Sequence, residues 1–151
     1  MLLVDLELKV IAEKHGHLCP YLALGWRVGL FFKNFLLKKE FTSFENFFVL
    51  AYAHSCALSA LELMNFKISC ENIGEHVYVL QTITGDALSM IAVNAEIIIP
   101  PRELEELTWK IKSDTALYYE KAHYSYLFDN WIVDILNASE EELFVFPHER
   151  V

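Results

Sequence analysis

Basic residues are scarce in this sequence, and their scarcity excludes one class of partner. The chain carries 12 Lys and Arg residues against 21 Asp and Glu residues, which gives a formal net charge of −9. No run of basic residues is longer than the pair Lys38-Lys39. Binding to nucleic acid requires a concentrated positive surface that neutralises phosphates. The sequence therefore predicts a protein that does not bind nucleic acid.

Long hydrophobic runs are also absent, although hydrophobic residues make up 54% of the chain. The longest apolar stretch, Leu22 to Leu37, is interrupted by Arg27, Lys33 and Asn34. A bilayer span needs about 18–20 consecutive apolar residues, so no membrane association is expected. The N-terminus lacks the pattern of a signal peptide, which predicts a cytoplasmic protein. The surplus of apolar side chains predicts a homodimer with a buried interface.

Cysteine, glycine and proline are few, with 3, 5 and 4 residues respectively. An odd and small number of cysteines argues against a disulfide framework and favours metal binding or thiol chemistry. The sequence contains no Gly-rich or Pro-rich linker, no internal repeat and no low-complexity segment. We therefore expect one domain that spans residues 1–151.

Hydrophobic periodicity predicts an α+β domain with N-terminal helices, a central antiparallel sheet and C-terminal helices. Helices are predicted over Leu2–Lys14, Pro20–Leu37, Ser55–Met64, Arg102–Lys112 and Thr115–Leu136, with a final turn at Ser139–Glu142. Strands are predicted over Phe44–His54, Phe66–Ser69, His76–Thr84 and Ala87–Ile99. The helix over Thr115–Leu136 could break near Ser125. Gly25 and Gly29, four residues apart, allow another element to approach the second helix closely.

Three metal-ligating side chains lie within five residues, in the run His15-Gly16-His17-Leu18-Cys19. Imidazole and thiolate are the ligands that zinc and its divalent neighbours prefer. Pro20 fits the first turn of a helix and holds Cys19 in an extended conformation just outside it. The positive end of that helix favours the thiolate form of Cys19. Three ligands from one loop would leave an open coordination position, which is typical of catalytic or exchangeable metal.

Cys56 repeats the position of Cys19 at the start of a predicted helix, and it is predicted as a further ligand. Its neighbour His54 could be a ligand as well, and the sequence leaves this open. Spacing alone does not show that residues 15–19 and 54–56 meet. The alternatives are that Cys56 is a small buried apolar residue and that each histidine is a solvated or capping side chain. Structural or incidental roles are expected for Cys70, His76, His123 and His148.

The segment from His15 to Gly29 resembles the opening motif of the FmdE family of formylmethanofuran dehydrogenase proteins. His54-Ser55-Cys56-Ala57, Gly74-Glu75-His76 and residues 139–144 are similar to later motifs of the same family. The resemblance implies a dimeric α+β core domain that binds zinc or a similar divalent transition metal. The ligands that it supports are His15, His17, Cys19 and Cys56. It also implies association with a molybdenum or tungsten redox enzyme, and the chain corresponds to the core domain alone.

The chain departs from the family pattern at four places. Tyr21 stands where the family usually has glycine, Ala53-His54 replaces Asn-Asp, and Ser59 replaces an aspartate. A Gly-rich loop that usually follows the third helix is missing after Met64. Because such a loop could shape a substrate pocket, the sequence leaves the substrate and the reaction open.

Three functions are compatible with these residues. The first is a metal-binding domain linked to a redox enzyme, and the second is a non-catalytic dimeric accessory protein organised by the metal. The third is a metal-free thiol protein, in which Cys19 and Cys56 form a redox pair and the pKa of Cys19 is lowered. No P-loop, dinucleotide-binding glycine pattern or Ser-His-Asp order offers an independent catalytic route. Whether the protein is an enzyme is left undecided.

Overall fold

The computed structural model describes residues 5–41 and 46–146, and in these ranges the chain forms seven helices and five strands. The helices are α1 (Leu6–His15), α2 (Pro20–Lys38), α3 (Ala57–Leu63), α4 (Ala95–Ile98), α5 (Arg102–Lys112), α6 (Tyr118–Asn137) and α7 (Glu140–Leu143). The strands are β1 (Phe47–Ala51), β2 (Lys67–Cys70), β3 (Val77–Thr82), β4 (Ala87–Val93) and β5 (Phe144–Val145). The predicted α+β class is confirmed. None of these helices is both long and apolar enough to cross a membrane.

The strands form one sheet in the order β2-β1-β3-β4-β5. The prediction of an antiparallel sheet is wrong at one edge, because β1 and β2 are parallel, with Val49 opposite Ile68. The other three pairs are antiparallel. Parallel neighbours need a crossover connection, and α3 supplies it between β1 and β2. This β1–α3–β2 unit places Cys56 in the connection that leaves the carboxyl end of β1.

Helix α1 begins and ends at residues whose types favour those positions. The Oδ1 atom of Asp5 accepts a hydrogen bond from the backbone N–H of Glu7 at 2.9 Å. Gly16 ends the helix with a φ of 113°, which glycine adopts readily, and its N–H donates to the carbonyl of Ala12. The predicted start at Leu2 and the first residues of the strand predicted from Phe44 lie outside the described residues.

One other prediction is wrong for a local reason. The strand predicted over Ala87–Ile99 ends early because Asn94 caps a short helix, with its Oδ1 accepting from the N–H of Glu96 at 3.0 Å. The break that the sequence left open near Ser125 is absent, and α6 is continuous. The Ser125 hydroxyl donates to the carbonyl of Lys121 at 3.3 Å, so it finds a partner without interrupting the helix.

Helix α2 lies at the centre of the hydrophobic core and packs against both α3 and α6. Its buried side chains form one cluster with the inner face of the sheet. The larger members of this buried set on α2 are Leu22, Leu24, Val28, Phe32 and Leu36. Because one face of α2 is apolar over its whole length, the core fixes the position of the helix start, where Cys19 lies.

Helices α2 and α3 approach each other at the two glycines, as predicted. A Cβ atom added at Gly25 would lie 2.5 Å from the Cα atom of Ala57, at the start of α3. A Cβ atom added at Gly29 would meet the side chains of Met64 and Leu61, at the end of α3. The two helices therefore run in the same direction, and their N-termini lie at the same end of the contact.

Arg27 joins α2 to the last turn of α6. Its Nη1 atom donates to the carbonyl oxygens of Ile135 at 2.8 Å and Leu136 at 3.0 Å. Carbonyls in the last turn of a helix have no partner within the helix. The half-buried guanidinium therefore caps α6 and holds its C-terminus on α2.

We expect Gly25→Ala to destabilise the domain by more than Gly29→Ala. At Gly25 the new methyl group would collide with the backbone of Ala57, which cannot move without displacing α3. At Gly29 it would collide with the flexible end of Met64, which can rotate away. Overpacking costs about 1–3 kcal/mol, and we expect Gly25→Ala to reach at least the upper part of that range. Urea unfolding of both variants measures the difference, and equal losses would contradict the backbone contact.

We expect Arg27→Gln to lower the free energy of unfolding by roughly 1.5–3 kcal/mol, because two carbonyls lose a charged donor. The matched control is Arg102→Gln. Arg102 pairs with Glu106 at 3.7 Å, but its side chain is 93% exposed. The loss there should stay within about 0.5 kcal/mol. Thermal unfolding of the two variants, followed by circular dichroism, compares them, and a similar loss in both would refute the capping role.

Candidate metal centre

Two histidines lie on either side of the turn that ends α1. His15 is the last residue of α1, and His17 follows Gly16 in the connection to α2. The left-handed conformation of Gly16 turns the chain so that the two rings come together, with centroids 4.7 Å apart. His15 is half-buried and His17 is exposed. The ring of His15 therefore packs partly against the protein, and the ring of His17 is exposed to solvent.

Cys56 joins these two histidines from the connection between β1 and α3. His15, His17 and Cys56 each offer one ligand atom, and these atoms lie within 4.8 Å of one another. Ligands of a tetrahedral zinc ion lie about 3–4 Å apart, since each is about 2.0–2.3 Å from the metal. The meeting of the two predicted ligand segments is thus seen in the structure. His54 is exposed and is not a member of this group.

The donors in this group fit a zinc-like ion. The Nε2 atom of His15 is buried and has no hydrogen-bond partner among the described residues. A buried polar atom without a partner costs about 1–3 kcal/mol, and a metal ion would satisfy this one. Imidazole nitrogen and thiolate sulfur are also the donors typical of zinc sites.

Cys19 lies beside the group of three. Its Sγ accepts from the backbone N–H of Leu22 at 3.4 Å, and its thiol interacts electrostatically with that of Cys56. Cys19 has the extended conformation predicted for it, with a φ of −139°. The structure thus groups His15, His17 and Cys56, and Cys19 lies next to Cys56 without being a member of the group. Whether Cys19 is itself a ligand stays a prediction.

Burial dominates the acidity of Cys19 in the metal-free chain. It raises the pKa of the Cys19 thiol to about 11, although the hydrogen bond from Leu22 acts in the opposite direction. The expectation of a lowered pKa at the helix start is therefore wrong, because desolvation outweighs the favourable helix end. The metal-free redox pair predicts a lowered pKa for Cys19, and the shift has the opposite direction.

A second set of side chains beside Cys19 has no counterpart among the sequence predictions. The ring of Tyr21 stacks on His76 with centroids 5.7 Å apart and meets the ring of Trp131 edge-on at 5.7 Å. Among the described residues, the buried Nδ1 atom of His76 has no hydrogen-bond partner, and the Tyr78 hydroxyl is buried close to Ser55. Burial lowers the pKa of His76 and raises that of Tyr78. His76 and Tyr78 are two residues apart, and residues at that spacing in an extended segment point to the same side. This spacing is the one feature of the sequence that could have indicated the set.

The remaining candidates lie elsewhere. Cys70 is an exposed free thiol at the end of β2. The Nε2 atom of His123 lies 2.8 Å from the Oε1 atom of Glu103, on the surface formed by α5 and α6. His148 lies outside the described residues. Neither Cys70 nor His123 belongs to the group of three ligands.

Comparison with known proteins identifies the family. A family model described as "FmdE, Molybdenum formylmethanofuran dehydrogenase operon" matches residues 14–145. No curated protein matches the chain significantly. The matched range covers most of the chain, and it contains the four predicted ligands and all five strands. The chain therefore belongs to the FmdE family.

Proposed function

We propose that this domain binds a zinc-like divalent metal ion through His15, His17, Cys19 and Cys56. The observation that carries the proposal is the convergence of His15, His17 and Cys56 within 4.8 Å. The buried and unpaired Nε2 atom of His15 supports it. Cys19 is included because its thiol interacts electrostatically with that of Cys56, a member of the group.

The positions of the donors support an organising role for the metal. His15 and His17 follow α1, Cys19 begins α2, and Cys56 begins α3. Four protein donors fill the tetrahedral sphere that is typical of structural zinc. When bound, such an ion supplies the positive charge that keeps the ligating thiols deprotonated. The side chains themselves would hold three helix ends in a fixed relation.

The description of the family refers to the operon of a molybdenum formylmethanofuran dehydrogenase. We propose on this basis that the domain is a cytoplasmic accessory to an enzyme of that kind, with molybdenum or tungsten at the enzyme's own centre. The acidic net charge and the absence of basic runs in the sequence agree with a protein partner.

We expect the anaerobically purified protein to bind zinc stoichiometrically, and His15→Ala and Cys56→Ser each to abolish tight binding. Each substitution removes a donor from the group of three. Inductively coupled plasma mass spectrometry gives the metal content. Cobalt substitution provides a second readout, since thiolate ligands add a charge-transfer absorption that Cys56→Ser should weaken.

Cys70→Ser is the matched control, because Cys70 is an exposed free thiol and should not alter the metal content. X-ray absorption counts the sulfur ligands and decides the role of Cys19. Loss of one sulfur in Cys19→Ser supports four protein ligands. An unchanged sulfur count would leave three ligands and an open position, and metal content independent of His15 and Cys56 would refute the site.

We also propose that the protein is a homodimer, as the composition predicts. Several large apolar side chains are exposed on α6 and on the residue that precedes it. They are Leu117, Tyr118, Tyr119 and Tyr126. Tyr118 is 88% exposed. A second copy of the chain would remove this surface from water.

Light scattering should give twice the chain mass of 17.5 kDa, and Tyr118→Ser with Tyr119→Ser should shift the equilibrium toward the monomer. Leu37→Ser is the control, because Leu37 is 55% exposed at the end of α2, away from this surface. A monomeric parent protein at high concentration would exclude the dimer.

A further inference from the structure

A cavity of about 280 Å³ lies between α2, α5 and α6, separate from the four proposed metal ligands. Four aromatic side chains line it, namely Tyr21, Tyr124, Phe128 and Trp131. The three on α6 are spaced by four and three residues, so they lie on one face of that helix. Among the described residues that line the cavity, Glu105 of α5 is the only acidic one and none is basic.

The aromatic rings are held in place by neighbouring groups. The Nε1 atom of Trp131 donates to the carbonyl of Ile97 at 2.7 Å. The rings of Tyr21 and Trp131 meet edge-on, and those of Tyr124 and Phe128 are stacked with centroids 5.8 Å apart. A wall whose side chains are already ordered loses little conformational entropy when a ligand binds.

Glu105 differs from the other glutamates of α5 in having no cationic partner. Glu103 pairs with His123 at 2.8 Å, and Glu106 pairs with Arg102 at 3.7 Å. No ion pair engages Glu105 in residues 5–41 and 46–146. Its exposed carboxylate therefore adds a negative charge at an aromatic cavity, and within these ranges no side-chain cation neutralises it.

The side chains that line the cavity favour a positively charged ligand over a neutral or a negatively charged one. An anion would find no basic side chain in the described lining and would be repelled by Glu105, and a neutral ligand would gain nothing from the carboxylate. A cation gains from the carboxylate and from the negative faces of aromatic rings. The chain's net charge of −9 also raises the local concentration of cations. The volume lies just below the range of about 300–1,000 Å³ that holds drug-sized ligands, so the ligand is small.

We infer that this cavity is a binding site for a small organic ammonium ion, held by the aromatic rings and by the Glu105 carboxylate. The site is distinct from the proposed metal centre and does not depend on it, since no proposed metal ligand lines the cavity. One wall is the ring of Tyr21.

The probe for the test is benzylammonium, with tetramethylammonium as a second cation and benzoate and benzyl alcohol as matched anionic and neutral compounds. Nitrogen-15 NMR follows the indole N–H of Trp131 at constant ionic strength. Both ammonium ions should shift this resonance saturably, and benzoate and benzyl alcohol should not. The indole N–H of Trp109, whose side chain is 68% exposed and outside the cavity lining, reports unspecific effects.

Glu105→Gln should weaken the binding of benzylammonium about tenfold, because it removes the charge and keeps the shape. Glu106→Gln, one residue further along the same helix, should leave it unchanged. Tyr124→Leu should also weaken it, since it removes one ring and keeps an apolar side chain. A response to benzoate equal to that of benzylammonium, no effect of Glu105→Gln, or no saturable shift would each overturn the inference. The same titration with Cys56→Ser should give unchanged affinity, so the outcome is independent of the metal proposal.

Discussion

The contact between the backbones of α2 and α3 is the constraint on which the candidate metal centre depends. It exists because Gly25 has no side chain and Ala57 has a small one. The two helices run in the same direction, so this contact places their first residues side by side. Cys19 precedes one helix and Cys56 precedes the other. The distance between the two thiols is therefore set by packing several residues away from either cysteine.

The same close packing has a consequence for the chemistry of the thiols. Tight contact between α2, α3 and the sheet buries Cys19, and burial favours the protonated thiol over the thiolate. A positively charged ion reverses this preference, because it replaces the proton. In the proposed site, packing would thus favour a metal-bound thiolate over a free thiolate. This is the physical reason to prefer metal binding over a metal-free redox pair.

Features with a local cause could be predicted from the sequence. Gly16 ends α1, Pro20 begins α2, and Gly25 permits the close approach, because each depends on the backbone preferences of one residue. The proposed ligand segments were predicted from residue type and stay a prediction, and the family resemblance was confirmed over residues 14–145.

Features that depend on distant pairing could not be predicted in the same way. The parallel pairing of β1 with β2 depends on which edge of the sheet is free, and hydrophobic periodicity does not contain that information. The acidity of Cys19 depends on how deeply the surrounding helices bury it. The contacts of Tyr21 with His76 and Trp131 join residues far apart in the chain, and no local pattern indicates them.

The position of the proposed ligands along the chain has a thermodynamic consequence. An ion held by His17 and Cys56 would close a loop of roughly 40 residues, which contains α2 and β1. Closing such a loop removes conformations from the unfolded chain, as a disulfide does, but the bond can be reversed without an oxidant. The metal would then act as a removable cross-link. The free energy of unfolding of the N-terminal half would then depend on the concentration of free metal ion around the protein.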